Sequence, residues 1–241
     1  MSRSPIKVVF FDAGGTLFHV KGSVAEVYLH YAEKYGVVST PELKASINKA
    51  FAEAFAHAPP PIFAVSQPTK LKQCERLWWF DIVHAVFYRV GMFNGFDEYF
   101  DEVFEAFAGA THWTVDPDLL PLLKDLKGQG YELGIISNFD TRLFSILAAL
   151  SLRSLFDSVT ISSLVQATKP SQQIFHYALN EHVVDPHEAL HVGDSFNEDW
   201  KGAIDAGLHG VLLSSVESSP VHAVSIQKLH QLPAIISKIG H

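Results

Sequence analysis

The chain has 241 residues, of which 48% are hydrophobic, and its formal net charge is -8 at pH 7. This composition supports a sizeable core, which excludes intrinsic disorder, and the negative charge gives no reason to expect nucleic acid or an anionic membrane as a partner. The single cysteine, Cys74, excludes an internal disulfide. No apolar run reaches the roughly 20 residues of a membrane span, and residues 1–7 are too short and polar for a signal peptide. We therefore expect a soluble, cytoplasmic protein.

The first predicted element is a buried strand over residues 7–11, which ends at Asp12. Its last four residues are apolar without alternation, which indicates a strand covered on both faces in a parallel sheet. Such sheets bind ligands at the carboxyl ends of their strands, where Asp12 is expected to lie. Gly14 and Gly15 then allow a sharp turn whose amide groups could face an anion, although an ordinary turn explains the two glycines as well.

Four helices in succession are predicted next, after a short connector over residues 18–22. They span residues 23–35, 41–57, 70–90 and 96–107, and their ends are marked by cap residues, by glycines and by three prolines at 59–61. Four helices without an intervening strand do not fit a βα alternation. We therefore predict a helical domain inserted after the first strand, at residues 18–110.

Helices and strands alternate from about residue 117 onwards. The predicted strands cover residues 131–136, 158–161, 189–192, 210–213 and, more weakly, 224–226. The predicted helices cover residues 119–127, 141–150, 172–181, 197–206 and a segment after Leu232. The alternation predicts a doubly wound parallel sheet, an α/β fold, built from residues 1–17 and 111–241.

Polar residues follow several of these strands. Right-handed crossovers bring the carboxyl ends of parallel strands to one edge of the sheet, so Asp12, Ser137-Asn138 and Asp194 should meet there, with Lys169 from a nearby loop. Mg²⁺ accepts one or two carboxylates and keeps water or phosphate oxygens as further ligands, so this set suits a cation bound beside an oxyanion. Each residue alone also has an ordinary explanation as a cap, a turn residue or a surface charge. Their joint placement favours a site.

Four motifs in order resemble those of the haloacid dehalogenase superfamily, over nearly the whole chain. The motifs are Asp12-Ala13-Gly14-Gly15-Thr16-Leu17, Ser137-Asn138, Lys169-Pro170 and Gly193-Asp194-Ser195 through Asp199. Residues 20–23, 75–79 and 137–142 are further similar to the branch that contains hydrolase domain-containing protein 3. The resemblance implies a Rossmann-like core with an inserted helical cap domain.

The resemblance also implies a Mg²⁺-dependent hydrolase that acts on a small phosphorylated metabolite through an aspartyl-phosphate on Asp12. The implied catalytic residues are Asp12, Ser137 and Lys169. The implied metal ligands are Asp12, the carbonyl of Gly14, Asp194 and Asp199. The implied substrate-binding residues are Gly15, Thr16 and Asn138. The oligomeric state is left open.

Position 14 departs from the family pattern. Phosphatases of the superfamily usually have a second aspartate there, which protonates the leaving group and then activates water, whereas Gly14 retains only its carbonyl. Loss of general acid–base help typically costs roughly 10²–10⁴-fold in rate. His19 and Lys21 on the connector are candidate replacements, although charged loop residues are more often simply solvated. Without a replacement, we expect either slow turnover or substrates with good leaving groups.

Two further regions carry less specific signals. Leu164, Gln166 and Ser171 stand where relatives commonly have glutamate, glycine and aspartate. Arg76 and Arg142 could meet an anionic substrate group, although paired or solvated arginines are commoner. Cap aromatic residues are expected to pack helices together rather than to stack on a substrate. These aromatic residues are Trp78, Trp79, Phe80, Phe87 and Tyr88.

The sequence leaves three functions open. The first is a Mg²⁺-dependent phosphomonoester hydrolase. The second is a dehalogenase or a carbon–phosphorus hydrolase, whose relatives also lack the second aspartate. Asp194 and Asp199 argue against a metal-free dehalogenase. A carbon–phosphorus hydrolase needs a cap lysine that forms a Schiff base, and no cap lysine stands out. The third is a binding protein that has lost turnover, which Gly14 favours and the retained Asp12 and Lys169 oppose.

Overall fold

The structure, a computed structural model, describes residues 5–214 and 223–239. The predicted core range also contains residues 1–4, 215–222 and 240–241, which lie outside the described residues. Most of the segment 1–7, considered above as a signal peptide, lies outside them as well.

A six-stranded parallel sheet forms the centre of the molecule. In chain order the strands are β1 (Val8–Phe11), β2 (His19–Val20), β3 (Trp113–Thr114), β4 (Glu132–Ser137), β5 (Ser158–Ile161), β6 (Ala189–Gly193), β7 (His209–Leu213) and β8 (Ser225–Ile226). The main sheet has the order β5-β4-β1-β6-β7-β8, and all its pairings are parallel. The predicted doubly wound α/β fold is confirmed.

Strand β1 is buried on both faces, as its uninterrupted apolar sequence predicts. Val9 and Phe11 belong to the apolar cluster on one face of the sheet, whereas Val8 and Phe10 belong to the cluster on the other. Successive side chains of a strand point to opposite faces, so a strand enclosed by helices on both sides needs apolar residues at every position.

Ten helices lie in the described residues. In chain order they are α1 (Val24–Ala32), α2 (Pro41–His57), α3 (Pro68–Val90), α4 (Phe96–Ala106), α5 (Leu119–Gly128), α6 (Arg142–Ala149), α7 (Ser162–Val165), α8 (Gln172–His182), α9 (Gly202–Asp205) and α10 (Leu232–Ile239). Helices α5, α6 and α10 supply side chains to the cluster on one face of the sheet, and α8 and α9 supply the other. None of the helices described is long and apolar enough to cross a membrane.

Helices α1 to α4 pack around an apolar cluster of their own, which includes Tyr28, Ile47, Phe87 and Tyr99. Ser23 begins α1 with a capping box, because its side chain accepts from the Glu26 amide while Glu26 accepts from the Ser23 amide. The limits of the inserted domain, residues 18–110, stay a prediction.

The connector predicted over residues 18–22 is partly a strand. His19–Val20 pairs antiparallel with Trp113–Thr114, so a short ribbon joins the start and the end of the helical region. Two-residue strands that pair across more than ninety residues leave no local pattern in the sequence, which is why the prediction missed them.

The single helix predicted over residues 197–206 is also wrong in detail. Phe196–Lys201 is a π-helical segment, and only Gly202–Asp205 is α-helical. Gly207, with φ of +87°, ends the helix as predicted.

The predicted packing role of the cap aromatic residues holds for four of the five. Phe87 is buried in the cap cluster, and Trp79 and Phe80 pack against it. Tyr88, by contrast, is 76% exposed, because it lies on the outer face of α3. Trp78 packs edge-on against Phe55 of α2, with ring centroids 5.9 Å apart, and donates its indole N–H to the Pro59 carbonyl at 2.7 Å. It also lines the cleft described below.

Candidate active site

A cleft of about 520 Å³ lies at the carboxyl ends of β1, β4 and β6, and we call it the carboxylate cleft. Because β1 pairs with β4 on one side and β6 on the other, Asp12 lies between Ser137 and Asp194. Lys169 reaches the same cleft from the loop after α7, and Asp199 reaches it from the π-helical segment. The structure therefore brings together the residues that the strand ends predicted.

Lys169 bridges two carboxylates inside the protein. Its Nζ lies 2.6 Å from Asp12 Oδ1 and 2.5 Å from Asp199 Oδ1, and the side chain is buried. Burial alone would lower the pKa of Lys169, but the charges of Asp12 and Asp199 outweigh it and raise the pKa. Lys169 is therefore charged, and it supplies a fixed positive charge beside Asp12.

The two carboxylate oxygens of Asp12 have different surroundings. Oδ1 accepts hydrogen bonds from Lys169 Nζ and, at 3.1 Å, from Ser137 Oγ. Oδ2 accepts none from the described residues. Burial raises the pKa of Asp12, and the charge of Lys169 opposes this shift. The Asp12 amide also donates to the Val192 carbonyl at 2.9 Å, which fixes the residue to the sheet.

Asp199 is buried and accepts several hydrogen bonds from the protein. Besides Lys169, its donors are His191 Nε2 and the Ser195 amide, each at 2.9 Å. Burial would raise the pKa of Asp199, but Lys169 and His191 outweigh it and lower the pKa. With these donors on both its oxygens, Asp199 is well placed to hold Lys169 and the loop that carries Asp194.

Gly193 makes room for Asp199. A Cβ atom at position 193 would lie 2.1 Å from Asp199 Cγ, so no larger residue fits beside this carboxylate. The packing of the Asp199 carboxylate thus explains why the motif has glycine at position 193.

Asp194 stands on the open side of the cleft, directly against Gly15. Gly15 has φ of +88°, and a Cβ atom there would lie 2.5 Å from Asp194 Oδ2. The pKa of Asp194 is raised, first by the protein that surrounds its carboxylate and then by the negative charge of Asp199. Both the turn conformation and the position of Asp194 therefore require glycine at position 15.

The oxygen atoms around Asp12 fit a hard divalent cation. One carboxylate oxygen from each of Asp12, Asp194 and Asp199 lies within 4.8 Å of the others. In the turn after β1, the amides of residues 16–18 all donate to the Ala13 carbonyl, which leaves the Gly14 carbonyl without a backbone donor there. Clustered carboxylates and a free carbonyl are ligands that suit Mg²⁺.

Gly15 and Thr16, predicted to bind substrate, do not line the carboxylate cleft. They line an adjacent groove together with Asp194 and His19. The Thr16 hydroxyl is buried without a hydrogen bond of ordinary geometry, and it lowers the pKa of Asp194. Their substrate-binding role stays a prediction.

Asn138 holds the backbone of Lys169. Its Oδ1 accepts from the Lys169 amide at 2.8 Å, and its Nδ2 donates to the Lys169 carbonyl at 3.0 Å. These contacts suit a residue that positions Lys169. The prediction that Asn138 also binds substrate stays a prediction.

Two residues of the site were missed in the sequence. Glu198 lines the cleft next to Asp199, and burial raises its pKa. A usable signal in the sequence was that Glu198 directly precedes Asp199, in the segment that Ser195 caps. His191 lies inside β6, where a single polar residue in a buried strand was the signal.

His191 is a neutral donor to Asp199. Burial lowers its pKa, and its Nδ1 has no hydrogen-bond partner in the described part of the chain. A carboxylate only accepts hydrogen bonds, so the proton of the imidazole resides on Nε2 and points at Asp199.

The two candidate replacements for the missing aspartate lie in different places. His19 is exposed and lines a second cavity together with Gly14 and Gly15. Lys21 lines neither that cavity nor the carboxylate cleft, and its amide donates to the His112 carbonyl at 2.8 Å. His19 is thus the candidate on the Gly14 side.

The helical region contacts the core through a few polar side chains. Glu75 on α3 is buried and accepts from the Thr141 amide at 3.1 Å and from Ser163 Oγ at 2.6 Å. Arg142 of the core donates from Nη1 to the Phe104 carbonyl of α4 at 3.1 Å, and its guanidinium pairs with Asp140 at 2.7 Å. Arg76, the other arginine considered for an anionic group, pairs with the exposed Asp101 on the surface.

Comparisons with known proteins agree with the geometry. A profile of haloacid dehalogenase-like hydrolases matches residues 6–207. The chain is 31% identical over 240 residues to haloacid dehalogenase-like hydrolase domain-containing protein 3 of Mus musculus, an alignment that covers 97% of this chain and 92% of that protein.

Two further comparisons are more limited. Glyceraldehyde 3-phosphate phosphatase of Methanothermobacter thermautotrophicus is 35% identical over 130 residues, or 50% of this chain and 58% of that protein. The crystal structure of a HAD phosphatase from Thermococcus onnurineus superposes with a TM-score of 0.65 at 24% identity, over 96% of this chain and 98% of that one. At this identity the structural likeness shows the fold alone.

Proposed function

The chain belongs to the haloacid dehalogenase-like hydrolases, and on that premise we propose that it is a Mg²⁺-dependent phosphatase with Asp12 as its nucleophile. The family and the branch predicted from the motifs are both confirmed by these relatives. The observation that carries the proposal is the pairing of Asp12 with Lys169 and Ser137 in a cleft that also contains Asp194 and Asp199.

Asp12 would attack the phosphorus of a phosphate monoester. A bond forms between a carboxylate oxygen and phosphorus, while the bond from phosphorus to the ester oxygen breaks and leaves its electron pair on that oxygen. Lys169 and Ser137, which already contact Asp12, are placed to bind the phosphoryl oxygens and to stabilise the negative charge on those oxygens during transfer. Water would then hydrolyse the aspartyl-phosphate and restore Asp12.

Asp12, the Gly14 carbonyl and Asp194 would hold Mg²⁺, with Asp199 orienting the loop behind them. When bound, the ion would supply positive charge that neutralises the transferring phosphoryl group. The family's second aspartate is absent at position 14, so the leaving oxygen departs without that proton donor.

Residues 18–110 would act as a cap over this chemistry. Phe55, Trp78 and residues 58–61 of the helical region line the carboxylate cleft opposite Asp12. They would exclude water while the phosphoryl group is transferred.

The competing functions have weaker support. A metal-free dehalogenase has no need for three clustered carboxylates. A carbon–phosphorus hydrolase would need a cap lysine in the cleft, but none lines it, and Lys34 and Lys44 pair with glutamates at the surface. If the experiment below finds no hydrolysis, the third function, a binding protein without turnover, is favoured.

The test is release of phosphate from acetyl phosphate and a panel of phosphorylated metabolites, with and without Mg²⁺. We expect Mg²⁺-dependent turnover that falls at least about 10³-fold in Asp12→Asn, which keeps the size of the side chain but removes the nucleophile. Asp81→Asn, on the exposed face of α3, is the matched control. Equal rates in wild type and Asp12→Asn, or no release from any compound, would overturn the proposal.

A further inference from the structure

A second cavity, of about 340 Å³, lies between the helical region and the sheet, and we call it the aromatic cavity. Aromatic rings and valines form most of its wall, among them Phe51, Phe100, Trp113 and Phe139. The side chains with polar atoms that line it include His19, Tyr28 and Arg142. Such a wall favours an apolar ligand, because a polar ligand would lose its contacts with water without replacement.

The aromatic cavity and the carboxylate cleft meet at Gly14. Gly14, Phe55 and Phe139 line both. A Cβ atom at position 14 would have a single neighbour within 4 Å, Phe139 Cε2 at 3.8 Å. The backbone there is not in the left-handed region, so a larger residue is sterically allowed. The Cβ atom of an aspartate would therefore be accommodated there, beside residues that line both cavities.

We propose that the substrate is an aryl phosphate, with its phosphoryl group in the carboxylate cleft and its aromatic leaving group in the aromatic cavity. This inference rests on the proposed phosphatase function and adds the class of substrate. The absence of a side chain at Gly14 then has two effects: it leaves room at the boundary that the two cavities share, and it removes the proton donor.

An aromatic leaving group makes that proton donor unnecessary. A phenol ionises at a pKa of about 10, as tyrosine does, whereas an alkyl alcohol is about as weak an acid as water, with a pKa of about 16. In the reaction the aryl oxygen leaves phosphorus as a phenolate with the bonding electron pair. Water then cleaves the aspartyl-phosphate; one of its protons stays on the phosphate and the other neutralises the phenolate.

The size of the cavity limits the leaving group. A dry protein cavity of about 150 Å³ already holds benzene, so this volume suits one ring or two fused rings. The charge of Arg142 is satisfied by Asp140 at 2.7 Å, so a second anionic group on the substrate is not expected. The Tyr28 hydroxyl makes no hydrogen bond to another described residue and is a donor for a polar substituent on the ring.

The kinetic test compares 2-naphthyl phosphate, cyclohexyl phosphate and acetyl phosphate. Acetyl phosphate has a small, good leaving group and needs neither the cavity nor a proton donor, so it reports on the proposed phosphatase chemistry alone. We expect kcat/KM for 2-naphthyl phosphate to exceed that for cyclohexyl phosphate at least about 100-fold. Tyr28→Phe should leave this ratio high but weaken the discrimination among naphthyl phosphates that carry a hydroxyl group at different ring positions.

Two variants separate the cavity from the chemistry. Val24→Phe adds a ring inside the cavity, and it should lower the kcat/KM ratio of 2-naphthyl to acetyl phosphate at least about 10-fold. Val38→Phe makes the same change at a residue that is 76% exposed, and it should leave the ratio unchanged. Gly14→Asp should lower the ratio of kcat/KM for 2-naphthyl phosphate to that for cyclohexyl phosphate at least about 10-fold, because it adds a side chain at the shared boundary and restores an acid.

A binding measurement gives a readout apart from turnover. In Asp12→Asn, calorimetry should show 2-naphthyl phosphate binding at least about 10-fold more tightly than inorganic phosphate, and Val24→Phe in the same background should remove the difference. Acetyl phosphate turnover that needs Asp12, without preference for the aryl ester, would overturn this inference and leave the phosphatase proposal standing. No acetyl phosphate turnover would overturn the phosphatase proposal and the aryl phosphate assignment with it.

Discussion

The carboxylate cleft and the aromatic cavity share Gly14 but are built in opposite ways. The cleft takes its residues from strand ends, and its charged groups are fixed by hydrogen bonds to one another. The cavity takes its residues mostly from helices α1 to α4, and its wall is mainly apolar, with only a few hydrogen bonds such as that from Trp79 Nε1 to Asp140 at 2.6 Å. The rigid sheet thus supports the reaction, whereas the helical region supplies the surface that selects the ligand.

The largest expected effect comes from removing the charge that joins the carboxylates of the cleft. Lys169→Met should abolish measurable turnover and lower the free energy of unfolding by about 3–5 kcal/mol, because Asp12 and Asp199 would remain buried without a cation. Urea denaturation measures the stability. The control is Lys201→Met, which breaks a surface pair with Asp205 and should cost less than about 1 kcal/mol. Similar losses in both variants would contradict the view that the cleft depends on this ion pair.

The next effect tests whether the turn after β1 must admit Asp194. Gly15→Ala should lower stability by about 1–3 kcal/mol and Mg²⁺ affinity at least about 10-fold, because the added methyl group would overlap Asp194 in addition to straining the turn. Gly36 has nearly the same φ, +85°, with no atom within 4 Å of its Cβ position. Gly36→Ala should therefore reproduce the strain without the loss of Mg²⁺ affinity, as calorimetry in both variants would show. Equal affinities would mean that Asp194 does not bind the ion.

A smaller effect is expected at Glu75, where α3 contacts the core through Thr141 and Ser163. Burial raises the pKa of Glu75, so the folded protein binds this proton more tightly than the unfolded chain does. The contribution of Glu75 to the free energy of unfolding should then fall as the pH rises from 4.5, the ordinary pKa of glutamate, through the raised pKa of the folded state. In Glu75→Gln this part of the pH dependence should vanish, whereas Glu105→Gln, on the exposed side of α4, should keep it. Denaturation at several pH values provides the measurement, and parallel curves for wild type and Glu75→Gln would refute the assignment.

The smallest effect concerns the loop that brings Lys169 into the cleft. Gln166 has φ of +55°, a conformation that costs a residue with a side chain about 1–2 kcal/mol. Glycine would remove this strain, but part of the gain would be lost because glycine gives the unfolded chain more conformational freedom. Gln166→Gly should stabilise the protein by about 0.5–1 kcal/mol without changing kcat. Leu164→Gly, in α7, should instead destabilise it by about 0.5–1 kcal/mol. Destabilisation by Gln166→Gly would show that the side chain, rather than the backbone, holds this loop.

The carboxylate cleft could largely be foreseen in the sequence. Asp12 and Asp194 directly follow a buried strand and Ser137 ends one, so the rules of parallel sheets place them together before any contact is known. The bounds of α2 and β5 were predicted to the residue for a similar reason, since local caps and apolar runs define them.

The aromatic cavity could not be foreseen in the same way. Its wall joins residues from α1 to α4 with residues from β2 and β3, and no local pattern records which helix faces meet. The same limit explains why Tyr88 was expected to pack and is exposed, and why the pairing of β2 with β3 was missed. The contacts of Asn138 with Lys169 likewise depend on two loops that are adjacent only in the fold.

The central place of β1 in the sheet has a consequence for synthesis on the ribosome. Strand β1 precedes both of its neighbours in the chain, β4 and β6, by more than a hundred residues. At about 5–20 residues per second, on the order of 10–40 s pass between the appearance of Asp12 and that of Val192, whose carbonyl its amide contacts. Until β4 has been synthesised, in the first part of that time, the four apolar residues of β1 have no strand to pair with. The nascent chain therefore carries an unpaired aggregation-prone segment, which a chaperone or the folding helical region would have to shield.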